Sequence, residues 1–228
     1  MKHLSLAKPA MVGDGRPHPH LAAAAMVAGP WAAQVALLRS VSELSWLALA
    51  ACLILAGLAA LERLQPAGRA AEASQATLLL GMLGMLSGLT LDARGPGLDL
   101  MTSLCGAGGL DDFLFASYLH WSWLPAMHAG MLAGGSAALP LARITRRRAH
   151  SSWQTDILRH AACSGWMLAG MTFGVLACQR AAAWFPAGAA PGTGPASMLG
   201  GMFAGMVWGM VASAVFNRAC SRLARVAI

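Results

Sequence analysis

Six stretches of this chain, residues 21–38, 44–61, 74–91, 113–139, 157–178 and 197–217, are free of Asp, Glu, Lys and Arg except at their margins. A helix needs roughly 20 apolar residues to cross the hydrocarbon of a bilayer. A backbone in that medium must satisfy its own polar groups, which leaves only helices and closed barrels as spanning structures. Runs this long and this apolar are helical, so the expected fold is an all-α integral membrane protein of six transmembrane helices. The remaining charge supports it: 11% of the residues are charged, against about 25% in a soluble domain. Too little charge is present to wet a globular surface, which excludes a water-soluble enzyme and a disordered tail.

The first stretch is the weakest. Ala22 to Ala25 are only mildly apolar, and Gly29 and Pro30 fall inside it. A cleaved signal peptide competes for it, but the 20-residue polar leader in front is long for that purpose. The expected organisation is a leader over 1–20, one six-helix domain over 21–217 and a basic tail over 218–228.

Charge placement orients the bundle, because Lys and Arg collect in short cytoplasmic loops. With the leader inside, the cytoplasmic set is Lys2, Lys8, Arg16, Arg63, Arg69, Arg143, Arg146, Arg147, Arg148, Arg159, Arg218, Arg222 and Arg225, leaving only Arg39, Arg94 and Arg180 outside. The outer side also holds Glu43, Asp92, Asp99, Asp111 and Asp112. Both termini are therefore expected in the cytoplasm, and the membrane is expected to be a bacterial-type inner membrane. The Arg143 to Arg148 cluster has the composition of a site for anionic lipid or nucleic acid. Topology already accounts for it, so lipid is the expected surroundings and nucleic acid is not an expected partner.

Glycines recur at spacings of three and four: Gly81, Gly84 and Gly88; Gly130 and Gly134; Gly170 and Gly174; Gly201, Gly205 and Gly209. Small residues four apart let helix backbones approach closely, which drives association in lipid. A compact bundle follows. The last series fits either a tight crossing within the chain or a seam to a second copy or partner subunit. Pro125 stands inside the fourth stretch and should kink or break that helix, with Trp121 and Trp123 before it as interfacial anchors. The glycine-rich segment from Asp92 to Asp112 and the turn region from Pro186 to Pro195 read as outer loops. Of five cysteines, Cys105 and Cys178 lie toward the outer side and are the one pair to consider for a disulfide.

No phosphate loop, nucleophile elbow, metalloprotease helix or dinucleotide fingerprint occurs, so the sequence carries no signal for catalysis. No Asp, Glu, Lys or Arg sits at mid-span, but His120 and His128 do, and ionisable groups inside a membrane are functional candidates. In the fourth stretch His120, Leu124, Met127 and Met131 form one stripe at 100° per residue, with His128 beside it. In the fifth, His160, Cys163, Met167, Met171, Gly174 and Cys178 form another. Met198, Met202, Met206 and Met210 follow the glycine series in the sixth, and Met82 and Met85 lie in the third. Thioether, thiolate and imidazole suit Cu(I) or another soft metal, whereas Mg²⁺ and Ca²⁺ want oxygen.

A path follows in order: Asp111 and Asp112 at the mouth, His120 as receiver, Met127, His128, Met131, Met167 and Met171 as relay, Cys163 and His160 at the exit, with Met202 and Met206 lining it. Weak sites in series suit passage. The competing reading is packing: methionine fills gaps beside glycine, and Asp111 and Asp112 would then only cap a helix. Haem is a lesser candidate, since His120 and His128 are too far apart along one helix to share an iron.

Three functions fit these features: a soft-metal transporter or insertion protein, a non-catalytic membrane subunit or assembly factor, and a small-molecule transporter with inverted repeats.

Overall fold

The computed structural model describes residues 19–35, 44–65, 69–97, 100, 113–145, 153–183 and 195–226. Among these residues there are seven helices and no strand: α1 Pro19–Ala33, α2 Leu44–Leu64, α3 Arg69–Asp92, α4 Phe113–Trp123, α5 Pro125–Thr145, α6 Trp153–Ala183 and α7 Pro195–Val226. Four of them carry spans long and apolar enough to cross a membrane: Ser45–Leu64 in α2, Ser74–Asp92 in α3, His160–Cys178 in α6 and Ala196–Leu223 in α7. The protein is membrane-embedded and all-helical.

Two of the six expected stretches take another form. Helix α1 has 15 residues, about 22 Å at 1.5 Å per residue, short of the roughly 30 Å of hydrocarbon in a bilayer. The stretch 113–139 is two helices, α4 and α5, interrupted at Leu124. The expected leader and most of the two expected outer loops, with Asp99, Cys105, Asp111 and Asp112, lie outside the described residues, as do Arg146, Arg147 and Arg148. Cys178 is a free cysteine among the described residues, and Cys105, the partner considered for it, lies outside them.

Helix α7 is the central column. Its apolar span is 78% buried, against 28 to 39% for the other three. The sequence of α7 explains how one helix can be covered on nearly every side. Its glycine series faces α6: a Cβ at Gly205 would strike the carbonyl oxygen of Gly170, one at Gly209 the carbonyl of Trp166, and one at Gly201 would come 2.7 Å from the carbonyl of Gly174. Reciprocally, Gly170 and Gly174 leave no room for a side chain beneath Gly205 and Gly201. The series that fits either a crossing or a seam to another chain is thus occupied by α6, and the two helices run antiparallel.

The face of α7 toward α2 uses a small residue at one level and large ones at the next. Gly200 stands against Ala50, while Val207 and Trp208 pack over Gly57. The Trp208 indole N–H donates to the Leu53 carbonyl at 3.1 Å. These contacts climb both helices together, so α2 and α7 are parallel. Phe203 fills the remaining side against Gly29 of α1.

A second close pair repeats the device. On α3, Gly84 meets the backbone of Gly130 and Gly134, and Gly88 meets Ala126 and Met127; on α5, Gly134 meets the Leu80 carbonyl. The order descends on α5 as it rises on α3, so this pair is antiparallel. Such contacts hold where lipid offers no hydrophobic drive between helices, because backbones in van der Waals contact have no competitor there.

Leu55, Leu83, Leu114, Leu158, Phe173 and Phe216 are exposed and form part of the surface that faces lipid. Hydroxyls in this medium turn back onto their own helices: Ser87 donates to Leu83, Ser117 to Phe113 and Ser122 to Tyr118, each at 2.8 Å. That removes the cost of an unpaired donor in hydrocarbon.

Candidate functional site

The break at Pro125 organises one end of the site. Proline has no N–H to give, and at the first position of a helix its fixed φ starts the turn without loss. The next two amides would donate to Ser122 and Trp123 in an unbroken helix. Instead they turn to a neighbour: Asp92, the last residue of α3, accepts from the Ala126 amide at 3.2 Å through Oδ1 and from the Met127 amide at 2.7 Å through Oδ2. The carboxylate thus caps α5 from another helix and sits where the dipole favours negative charge. The chain beyond it turns tightly, with Gly95 N–H donating to the Asp92 carbonyl at 3.0 Å. Gly97 then lies so close to the Trp123 carbonyl that no side chain would fit.

On either side of the break stand the two membrane histidines. His120 stands in the last turn of α4, is 1% exposed, and its Nε2 is buried with no hydrogen-bond partner. His128 is 4% exposed and its Nδ1 lies 2.8 Å from the Leu124 carbonyl. A carbonyl only accepts, so Nδ1 carries the proton and Nε2 is left as a lone-pair donor. The ring centroids of the pair are 6.4 Å apart with the planes at 88°, and Trp121 lies against His128 at 5.2 Å. Sequence spacing puts these histidines too far apart along one helix to share an iron, yet their ring centroids approach to 6.4 Å.

The sulfur side chains follow in order along α3. Met127 lies at the level of Gly88; Met131 and Met167 both approach Gly81, where a Cβ would be 3.3 Å from Met167 Cε and 3.8 Å from Met131 Cγ. Met82 and Met85 of α3, Met171 of α6, and Met202, Met206 and Met210 of α7 belong to the same continuous buried core. All are at most 3% exposed. From Gly88 to Thr77 this sulfur-lined column runs about 16 Å at 1.5 Å per residue.

Its far end is polar again. His160 and Thr77 both pack over Gly135, and the His160 Nε2 lies 3.4 Å from both Ser136 Oγ and Ser164 Oγ. Cys163, one turn further along α6, directs its thiol at Met210 Sδ at 2.7 Å. Among the described residues no three His, Cys, Asp or Glu side chains gather as a metal-holding group, so any ion here would be held by two such ligands or by thioethers.

The expected ligands therefore fall in three places. His120 and His128 pair at the break, Met127, Met131 and Met167 line the middle, and Cys163 with His160 stands at the opposite end. Met171, Met202 and Met206 lie in the buried core. Sequence reasoning missed Asp92 as the cap and Met210 as the partner of Cys163. The signal for the first was available: Pro125 frees two amides inside apolar surroundings, and an acceptor has to come from somewhere. No protein-family model, curated protein or solved structure matches the chain.

Proposed function

We propose that this is a multi-pass protein of a bacterial-type inner membrane that handles a soft metal ion, Cu(I) in class, through its methionine, histidine and cysteine side chains. Six crossings are proposed: residues 21–38, which include most of α1, then α2, α3, the broken pair α4 and α5, α6 and α7, with both termini cytoplasmic. The antiparallel pairs α3 with α5 and α6 with α7, and the parallel pair α2 with α7, are the directions this alternation requires. The loop charges agree with it.

The observation that carries the metal reading is the approach of Met131 and Met167 to the same glycine, Gly81, between a histidine pair at one end of the column and Cys163 with His160 at the other. Thioethers bind soft ions weakly, and weak sites in sequence allow an ion to leave as well as enter. Cys163 and Met210 would have to part to admit one, since two sulfurs bonded at about 2.3 Å to a shared tetrahedral ion stand nearly 4 Å apart.

The test is anaerobic Cu(I) loading of the detergent-purified protein, followed by elemental analysis and a visible spectrum. Retained, colourless copper supports the reading; a preparation that stays empty overturns it, and a Soret band would point to haem.

A second reading, a non-catalytic membrane subunit or assembly factor, is favoured by one specific observation: Met131 and Met167 fill the space opposite Gly81, and Met82 that opposite Gly29, as gap-filling side chains do. It predicts that methionine-to-leucine changes in the column leave function untouched.

A further inference from the structure

We propose that His120 and His128 together hold a single Cu(I)-class ion between their Nε2 atoms, bridging the helix break at Leu124 and Pro125. The inference deepens the soft-metal reading and rests on it. What it adds is a defined binding site of two nitrogen ligands, separate from the sulfur column.

Residues eight apart on an unbroken helix are separated by about 12 Å along its axis. Here the two ring centroids are 6.4 Å apart. With metal–nitrogen bonds of about 2.0–2.1 Å, two imidazoles on opposite sides of one ion have centroids about 6 to 6.5 Å apart. The centroid separation therefore falls within the range of a two-coordinate site.

The chemistry of the donors agrees. His120 Nε2 is buried and has no partner, an arrangement that is costly unless something occupies the position. His128 is fixed as the Nδ1–H tautomer by Leu124, so its Nε2 is free to donate a lone pair, the usual arrangement when a backbone carbonyl orients a metal-bound histidine. Asp92, bonded to the Ala126 and Met127 amides next to His128, supplies negative charge that offsets a bound cation.

The donor count selects the ion. Among the described residues no third His, Cys, Asp or Glu completes a group here, which disfavours Zn²⁺ with its four-ligand preference. Nitrogen donors disfavour Mg²⁺ and Ca²⁺. A d¹⁰ monovalent ion accepts two ligands in a line and keeps a low charge in an apolar setting.

The test uses full-length protein in detergent, loaded anaerobically with Cu(I) and read by copper X-ray absorption and stoichiometry. In a Met131→Leu, Met167→Leu, Cys163→Ala background, which removes the middle thioethers and the thiol at the far end of the column, the expected result is one copper per chain with nitrogen scatterers. His120→Phe, which keeps a ring in the packed position, should abolish that copper entirely, and His128→Ala should do the same. His160→Ala should leave the nitrogen shell intact. Copper bound in the wild type through sulfur alone, or a nitrogen shell that survives His120→Phe, overturns this site while leaving the soft-metal reading standing. Wild-type protein that binds no Cu(I) overturns both.

Discussion

Asp92 reaches across 35 positions of sequence to accept a hydrogen bond from the Met127 amide at 2.7 Å, joining the end of α3 to the start of α5. This contact makes the break at Pro125 a defined junction. Removing the carboxylate in Asp92→Ala should lower stability by about 1–2 kcal/mol, the range for loss of a helix cap, and Asp92→Asn should recover part of it. Pro125→Ala restores a donor and lets the helix close, so the cost of Asp92→Ala should shrink in that background. A double-mutant cycle on thermal unfolding in detergent measures the coupling; additive effects would show that the cap and the break are independent.

The glycines of the α6–α7 crossing should tolerate nothing larger. Gly205→Ala places a methyl into the Gly170 carbonyl, and overpacking of this kind costs about 1–3 kcal/mol or more. Gly165, on the same helix as Gly170, has open space around its Cβ position, and Gly165→Ala should leave the melting temperature unchanged or slightly raised. Equal melting temperatures for Gly205→Ala and wild type would mean that the two helices do not touch there.

Leucine has nearly the volume of methionine without its sulfur. Met131→Leu with Met167→Leu should therefore keep the fold within about 1.5 kcal/mol per site, as volume-conserving swaps do. Copper uptake by reconstituted vesicles should nonetheless fall at least tenfold. Unchanged uptake would assign these side chains to packing alone.

A reporter fused after Ile228 should read as cytoplasmic, and one fused after Gly97, in the turn that follows α3, as external. The opposite result at either position breaks the charge-bias argument for orientation.

Much of this architecture is legible in the sequence, and the exceptions have physical causes. Apolar length announces α2, α3, α6 and α7, since a crossing leaves an unmistakable run of uncharged residues. Glycine spacing announces the faces of α3, α5, α6 and α7 that touch, because only glycine permits backbone contact. It does not say which face meets which: Gly201, Gly205 and Gly209 would serve a partner chain as well as they serve α6. Pro125 signals the break but not what surrounds it, since the acceptor for the freed amides, Asp92, comes from a different helix, and the 6.4 Å between the rings of His120 and His128 depends on side-chain placement that spacing does not give. Cys163 and Met210 meet for a similarly nonlocal reason, the depth at which α6 and α7 cross. Helix α1 is where length reading serves least, because alanine and glycine there give an apolar run without the length of helix to use it.

The central place of α7 has a consequence for how the molecule is made. Of the seven helices it is the last to be synthesised, yet α2 and α6 both find their close neighbour in it. Until α7 leaves the ribosome, Gly170 and Gly174 of α6 and Gly57 of α2 face lipid or one another without their proper occupant. The α3–α5 pair, by contrast, can close as soon as α5 is inserted. Assembly should therefore proceed through a half-built membrane intermediate whose exposed small-residue grooves are the natural target for an insertase or a membrane protease, and a chain arrested before Pro195 should be degraded rather than accumulate.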